Sequence, residues 1–324
     1  MRLVTLAPAK VNLVLRVGPQ RPDGYHEILS LLAPLDLGDR VEVRVSPRAG
    51  PVTCRVPGFP ELDGTANLAA RAAEAFRARF GVRRGLSIQI EKRTPVIAGL
   101  GGGSSDAAAV LRCLARAFPP SDRRALCEIA LSVGSDVPFF LGPGPAWVAG
   151  RGERLRPADV PSLSLVLLFP RQRSLSIRAS EAYRWLDEAR GHAAPPQLGR
   201  PTPFRLARTG NDLQAPCLAR RRAIGRLLDL LDGAGAERAL MAGSGPTVFG
   251  VFSGPGAARR AALTIEKEAR NLTLSVFVVR TVRRQPRVTP WRSPRSASSR
   301  STRRSSRLTS PSPSTTASSS ATSR

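Results

Sequence analysis

PVIAGLGGGSSDAAA, Pro95 to Ala109, is the stretch that decides how the rest of the chain is read. Ahead of it, Leu86, Ile88 and Ile90 alternate with polar residues, the period of a half-buried strand. Behind it, Ala107, Val110, Leu111, Leu114 and Phe118 recur at helical spacing, which predicts a helix over 104–118. Between them stand Gly99, Gly101, Gly102 and Gly103, which let the backbone take positive φ and approach a ligand closely. Ser104 and Ser105 sit where N-caps are wanted. A glycine loop that opens a helix offers free N–H donors and the positive end of a dipole, a cradle for phosphate.

Several phosphate binders are excluded. Asp106 follows the serines where a Walker loop needs Gly-Lys-Ser/Thr. Ser104 falls where the third glycine of a dinucleotide fingerprint belongs. Neither His26 nor His192 is followed by Arg-Asp, so a protein-kinase catalytic loop is absent.

Composition narrows the class further. With 324 residues and 42% hydrophobic content the chain is long enough for two ordinary domains with real cores. No run approaches the ~18 apolar residues of a membrane span. The N-terminal apolar run, Leu3 to Ala9, is broken by Pro8 and stopped by Lys10, too short for a signal peptide; a cytoplasmic protein is expected. Cys54, Cys113, Cys127 and Cys217 lie far apart, against a zinc ribbon or disulfide scaffold.

The net charge of +26 is uneven. Residues 281–324 hold 10 Arg and no acid, and 36 of those 44 residues are Ser, Arg, Thr or Pro. Such a segment builds no core, so 281–324 is read as a disordered tail that could grip RNA by counterion release or do nothing. Before it, strands and helices recur in both halves. Strands are predicted around Val41–Val45, 163–169, 246–252 and 272–279, and helices over 67–80, about 180–190 and about 217–232. A Pro/Gly-rich stretch, 191–203, reads as a loop.

The loop resembles the central phosphate motif of the GHMP kinases, small-molecule kinases named for galactose, homoserine, mevalonate and phosphomevalonate. APAKVNLVLRV (Ala7–Val17) resembles the family's N-terminal strand motif and MAGSGPTVFG (Met241–Gly250) its C-terminal glycine motif. RPDGYHEI (Arg21–Ile28) and GSDVPFFL (Gly134–Leu141) are similar to the signatures of one member. The resemblance runs in order from about residue 3 to 280 and leaves the tail outside. It implies an α+β fold of two lobes, each a mixed sheet with helices on one side and the active site in the cleft. The expected division is 1–158 with the phosphate loop and catalytic pair, 159–280 as the second lobe, and 281–324 as tail. The activity implied is ATP-dependent phosphorylation of the 2-hydroxyl of a cytidine-diphosphate-linked methylerythritol, for isoprenoid precursors. Another GHMP kinase, for homoserine or mevalonate, is the near alternative, and a basic RNA-binding protein the distant one.

Phosphoryl transfer to an alcohol requires a phosphate cradle, cationic charge and a group to receive the hydroxyl proton. Lys10, on an otherwise apolar strand, is costly to bury unpaired, and Asp136 would relieve that cost while staying ionised. The resemblance makes Asp136 the catalytic base and Lys10 the group polarising hydroxyl and phosphate. The lesser alternative is that Asp136, before Pro138, is a turn or N-cap aspartate. Asn12 shares the strand face of Lys10 and is expected at the substrate. Tyr25 and His26 follow the turn Pro22-Asp23-Gly24, which should present them at the surface; the resemblance makes them the cytosine site. The nucleotide positions it implies are Asn67, Lys92, Pro95, Gly99, Leu100, Gly101, Gly102, Gly103, Ser104 and Ser105. Asn211-Asp212 is either structural or pocket-lining, and Gly243-Ser244-Gly245 either a tight turn or a closure of the phosphate site. Mg²⁺ is expected with ATP, with no protein ligands assigned.

Overall fold

In a computed structural model, residues 1–119, 122–191, 193 and 196–290 are described. The strands are β1 (Arg2–Gln20), β2 (His26–Ala49), β3 (Val52–Arg55), β4 (Arg84–Glu91), β5 (Ala146–Gly150), β6 (Arg154–Pro157), β7 (Ser164–Pro170), β8 (Gly210–Asn211), β9 (Arg238–Met241), β10 (Val248–Phe252), β11 (Leu274–Arg280) and β12 (Thr289–Pro290). The helices are α1 (Leu68–Phe80), α2 (Gly102–Ala117), α3 (Arg123–Val133), α4 (Val137–Leu141), α5 (Ala179–Arg190), α6 (Gln214–Arg220), α7 (Arg222–Gly233) and α8 (Pro255–Glu268).

Eight strands make one sheet, with β12-β1-β2-β4-β3 as its main path, β5 and β6 continuing from β2, and β8 parallel to β1. A second sheet runs β11-β7-β10-β9, antiparallel throughout. Strand alternation shows how the two stack. On β7, Leu165 and Leu167 point toward Val11, Leu13, Leu31 and Trp147 of the large sheet, while Val166 and Leu168 point toward Trp185, Leu227 and Ile265 of α5, α7 and α8. On the far side, α1 to α4 pack Phe76, Leu111, Leu114 and Phe139 against Val41, Val43, Ile88 and Ile90. The architecture is therefore helices, sheet, sheet, helices, the α+β two-sheet fold expected. Each buried Leu or Phe contributes about 1.5–3 kcal/mol of transfer free energy to these layers.

The long hairpin of β1 and β2 is irregular in a way that matters. Its register shifts between Pro8 and Lys10 and again between Asn12 and Val14. Each shift exchanges the faces of every later residue. Leu3 and Ala7 therefore pack on the helix side, Val11 and Leu13 between the sheets, and Leu15 and Val17 on a helix side again.

Two expectations are corrected. The helix foreseen over 217–232 is two, α6 and α7, parted at Arg221, whose φ of −136° is not helical. Residues 281–290, expected in the tail, pack on the body of the fold. Val282 donates to the Pro34 carbonyl at 2.8 Å, Arg112 Nη1 to the Pro286 carbonyl at 2.7 Å, and β12 pairs with β1. The remainder of the expected tail, 291–324, lies outside the described residues.

Candidate active site

The glycine loop leaves β4 and enters α2 much as the pattern foretold, with one difference of detail. The N-cap of α2 is Gly101, at φ +71°, with no side-chain cap; Ser104 and Ser105 lie within the first turn instead. The first amides of α2 are thus left to other acceptors. Gly99, at φ +74°, has no alternative: a Cβ there would stand 2.1 Å from the Ala242 carbonyl oxygen. That contact brings the second glycine loop, Gly243 to Gly245, against the first. A Cβ on Gly243 would meet the Gly99 carbonyl at 2.8 Å and Lys10 Nζ at 3.1 Å. The two glycine loops and Lys10 form one packed unit.

Lys10 is 4% exposed. Its backbone N–H donates to the Leu100 carbonyl (2.9 Å), and its Nζ donates to Asn12 Oδ1 (2.7 Å) and to the Gly99 carbonyl (3.0 Å). Asp136 Oδ2 lies 3.6 Å from that ammonium. Asp136 occupies the N-cap position of α4 yet makes no capping hydrogen bond, so its carboxylate is free to face Lys10 and its turn position does not consume it. Asn12 is oriented from its other end, where Nδ2 donates to Ser30 Oγ (2.9 Å) and that hydroxyl donates to the Val14 carbonyl (2.6 Å).

Two cavities meet at the loop. One, of about 400 Å³, is lined by Asn67, Lys92, Pro95, the run Gly99 to Ser104, and Asp106. The other, of about 720 Å³, is lined by Lys10, Asn12, Tyr25, His26, Asp136 and Ser244, among others. Gly99, Gly101 and Ser104 belong to both, so the loop is the wall between them. Of the nucleotide residues foreseen, Ser105 alone is off this wall: it is fully buried and its hydroxyl has no partner.

Lys92 and Asn67 are engaged internally. The Lys92 ammonium sits between Asp39 Oδ2 (2.5 Å) and Asp106 Oδ2 (2.9 Å). Burial alone would lower its pKa, but the two carboxylates outweigh that and hold it above the usual lysine value. Burial pushes Asp106 up to about 7, against the pull of Lys92 and with help from Asp39. Asp39 also accepts the Arg93 and Thr94 N–H groups (2.6 and 2.7 Å), clamping the strand end just before the loop. Asn67 caps α1 through Ala69 N (2.9 Å) and donates to the Leu62 carbonyl (2.8 Å).

In the larger cavity Tyr25 is exposed as foreseen, under the Arg151 guanidinium at 4.8 Å. His26 is not at the surface: it is 7% exposed, stacked on Tyr183 at 5.1 Å, with Nε2 2.9 Å from Asp187 Oδ1. A carboxylate acceptor there fixes the proton on Nε2. Tyr183, Asp187, Arg151 and Arg184 line the same cavity and were not foreseen. Burial, then the Asp136 charge, raises the Tyr183 phenol. The open choice at Asn211-Asp212 resolves as structural. Asn211 Nδ2 donates to the Met241 and Gly243 carbonyls (2.8 and 2.7 Å), holding the second glycine loop, and Asp212 Oδ2 accepts the Val17 N–H (3.0 Å).

Comparison with known proteins agrees with this geometry. Residues 67–144 match the GHMP kinases N terminal domain and residues 204–271 the GHMP kinases C terminal domain. A protein of Anaeromyxobacter dehalogenans named 4-diphosphocytidyl-2-C-methyl-D-erythritol kinase is 71% identical over 313 residues, covering 95% of this chain and all of the relative. One of the same name from Deinococcus radiodurans is 40% identical, covering 85% and 92%. A crystal structure of 4-(cytidine 5'-diphospho)-2C-methyl-D-erythritol kinase is 34% identical with a TM-score of 0.67, covering 86% and 98%. A match over 95% of the chain leaves too few residues outside it to hold a 44-residue tail, so the likeness runs past the limit of 280 set from the motifs. Among the described residues no helix is long and apolar enough to cross a membrane. Identity over nearly the whole chain, two matched domains and paired cavities at a shared glycine loop give one conclusion: the chain belongs to the GHMP kinase family.

Proposed function

We propose that the chain transfers the γ-phosphoryl group of ATP to the 2-hydroxyl of 4-diphosphocytidyl-2-C-methyl-D-erythritol, a step in isoprenoid precursor synthesis. The observation that carries the reading is the placement of Lys10 and Asp136, 3.6 Å apart, in a cavity divided from the loop-lined one only by the glycine wall. The free amides at the start of α2 receive the nucleotide phosphates. Asp136 receives the acceptor's proton as its oxygen attacks, and Lys10, held by Asn12 and the Gly99 carbonyl, meets the charge that develops on the transferred group. Buried between two carboxylates, Lys92 acts by bracing the loop, and Asn67 by fixing the start of α1. Tyr25, His26 and Tyr183 form an aromatic end to the acceptor cavity, suited to a pyrimidine base.

Mg²⁺ is expected with ATP and supplies charge neutralisation of the phosphates when bound. Among the described residues no group of three His, Cys, Asp or Glu is arranged for a metal. A magnesium ion that arrives with ATP would be held chiefly by phosphate oxygens and water. Asp106 Oδ1, buried beside the loop with no hydrogen-bond partner among the described residues, is a carboxylate oxygen with unused capacity there.

The test is ATP consumption by the purified protein offered the cytidylylated alcohol, mevalonate and homoserine in parallel. Turnover of the first alone is expected. Equal turnover of mevalonate or homoserine would remove the assignment while leaving the family intact.

A further inference from the structure

The hairpin of β5 and β6 carries Arg151 at its tip, where it lines the acceptor cavity, and three contacts fix that tip. Gly150, the last residue of β5, pairs with Ile28 of β2, just past Tyr25 and His26. The Arg151 backbone N–H donates to Glu153 Oε2 at 2.8 Å and closes the turn. Gly152, at φ +136°, lies so close to the Ser135 carbonyl that a Cβ there would overlap it. The tip is therefore wedged between the segment bearing Tyr25 and His26 and the loop bearing Asp136. From it the Arg151 guanidinium lies over the Tyr25 ring, 4.8 Å from its centre.

The basic side chains lining this cavity are Lys10, His26, Arg151 and Arg184. Three of them have an acid: Lys10 has Asp136 at 3.6 Å, His26 has Asp187 at 2.9 Å, and Arg184 has Glu188 at 3.8 Å. Arg151 has no carboxylate ion-pair partner among the described residues. Asp23 senses its charge from farther off, with its own carboxylate held by Arg21 at 3.2 Å. The side-chain hydrogen bond that Arg151 makes is long, Nη2 to the Leu131 carbonyl at 3.4 Å. The guanidinium is thus half-buried, held by a ring below it and a rigid turn behind it, with most of its N–H donors unspent. A cation ordered before its ligand arrives loses little freedom on binding, which favours an anion at that spot.

We infer that Arg151 binds the diphosphate of the acceptor, the anionic link between its base and its alcohol, and so sets the preference for a diphosphate-linked alcohol. The inference rests on the cytidylylated acceptor proposed above. In that acceptor the diphosphate separates a pyrimidine, suited to Tyr25, His26 and Tyr183, from an alcohol that must reach Lys10 and Asp136. Arg151 occupies the stretch of wall between those two ends. A guanidinium fork donates to two phosphate oxygens at once, which a lysine ammonium does not match. The diphosphate is unchanged by the reaction, so its binding is equally strong in ground and transition states and is read in KM.

The experiment is calorimetric titration of the full chain with CDP and with cytidine, the loop-lined cavity being saturated with a non-hydrolysable ATP analogue. Steady-state kinetics and thermal unfolding run beside it. Wild type should bind CDP about tenfold or more tightly than cytidine, the scale of a charge-assisted hydrogen bond. Arg151→Met should erase most of that preference by weakening CDP while cytidine stays within about twofold, and should raise KM for the cytidylylated alcohol by about tenfold with KM for ATP unmoved. Arg151→Lys, which keeps the charge but not the fork, should recover part of the CDP affinity. An unchanged ratio of CDP to cytidine affinity in Arg151→Met overturns the inference and leaves the cytidylylated acceptor standing. Equal weakening of CDP and cytidine also overturns it, since that marks a mere prop for the Tyr25 ring. Failure of both ligands to bind wild type removes the cytidylylated acceptor itself, and the inference with it.

Discussion

Replacing Asp136 by Asn separates what its carboxylate does for the reaction from what it does for the fold. Two unit charges 3.6 Å apart attract by about 4–5 kcal/mol at an effective dielectric near 20. Asp136 is 35% exposed at its side chain, so solvent screening cuts the net contribution to about 1–2 kcal/mol. Lys10 keeps Asn12 Oδ1 and the Gly99 carbonyl as acceptors, which limits the cost of leaving its charge unpaired. The expected loss of stability is a Tm drop of about 2–3 °C. The kinetic loss should be far larger, because the amide of Asn cannot receive the acceptor's proton: kcat should fall ~10²–10⁴-fold. Apparent KM for ATP should stay within twofold, since the cradle is main chain on the other side of the loop. The assay is steady-state ATP consumption with the cytidylylated alcohol, run beside thermal unfolding. Lys10→Met, tested alone and with Asp136→Asn, adds a second check. Two groups acting on one proton and one phosphate form a unit, so the double variant should lose little more than the worse single. A kcat within tenfold of wild type in Asp136→Asn, or additive losses in the double variant, would refute the pairing.

Three further outcomes follow from the packing. Gly99→Ala should remove activity and lower Tm, because its Cβ would overlap the Ala242 carbonyl at 2.1 Å and its φ of +74° is strained for alanine; thermal unfolding and ATP turnover read both. Asn211→Ala should cost about 1–3 kcal/mol for each of the Met241 and Gly243 carbonyls left unpaired, measured by urea unfolding, with kcat reduced through the displaced second loop. Asp106 has a folded pKa of about 7 against 3.8 for the free group, so it binds a proton more readily folded than unfolded. Its contribution to stability is therefore full below about pH 4 and is lost as pH climbs through 7. Asp106→Asn should flatten that decline between about pH 4 and 7 in nucleotide-free protein, and an unchanged slope would remove Asp106 as its source.

What the sequence made legible was whatever lay within one local motif. The glycine loop, the strand before it, the helix after it and the need of Lys10 for a partner are statements about neighbours or about burial cost, and the structure agrees with each. What it hid are consequences of register and of distant segments. No pattern in residues 8–14 announces the first two of the three register shifts along β1, yet they decide that Asn12 faces the acceptor cavity while Val14 and Arg16 face the other way. His26 was expected at the surface because a turn precedes it. It is buried because Tyr183 and Asp187, over 150 residues later on α5, close over it. One signal for Tyr183 was available. The chain has only two tyrosines, Tyr25 and Tyr183, and both line the acceptor cavity. In a chain with 5% aromatic residues, the ring types that its core does not demand are worth following to where they meet. The same logic reaches the arginines. A chain this rich in Arg hides by number which arginines are tied to acids, such as Arg16 on Asp212, and only the structure separates them from those without an acidic partner among the described residues, such as Arg205.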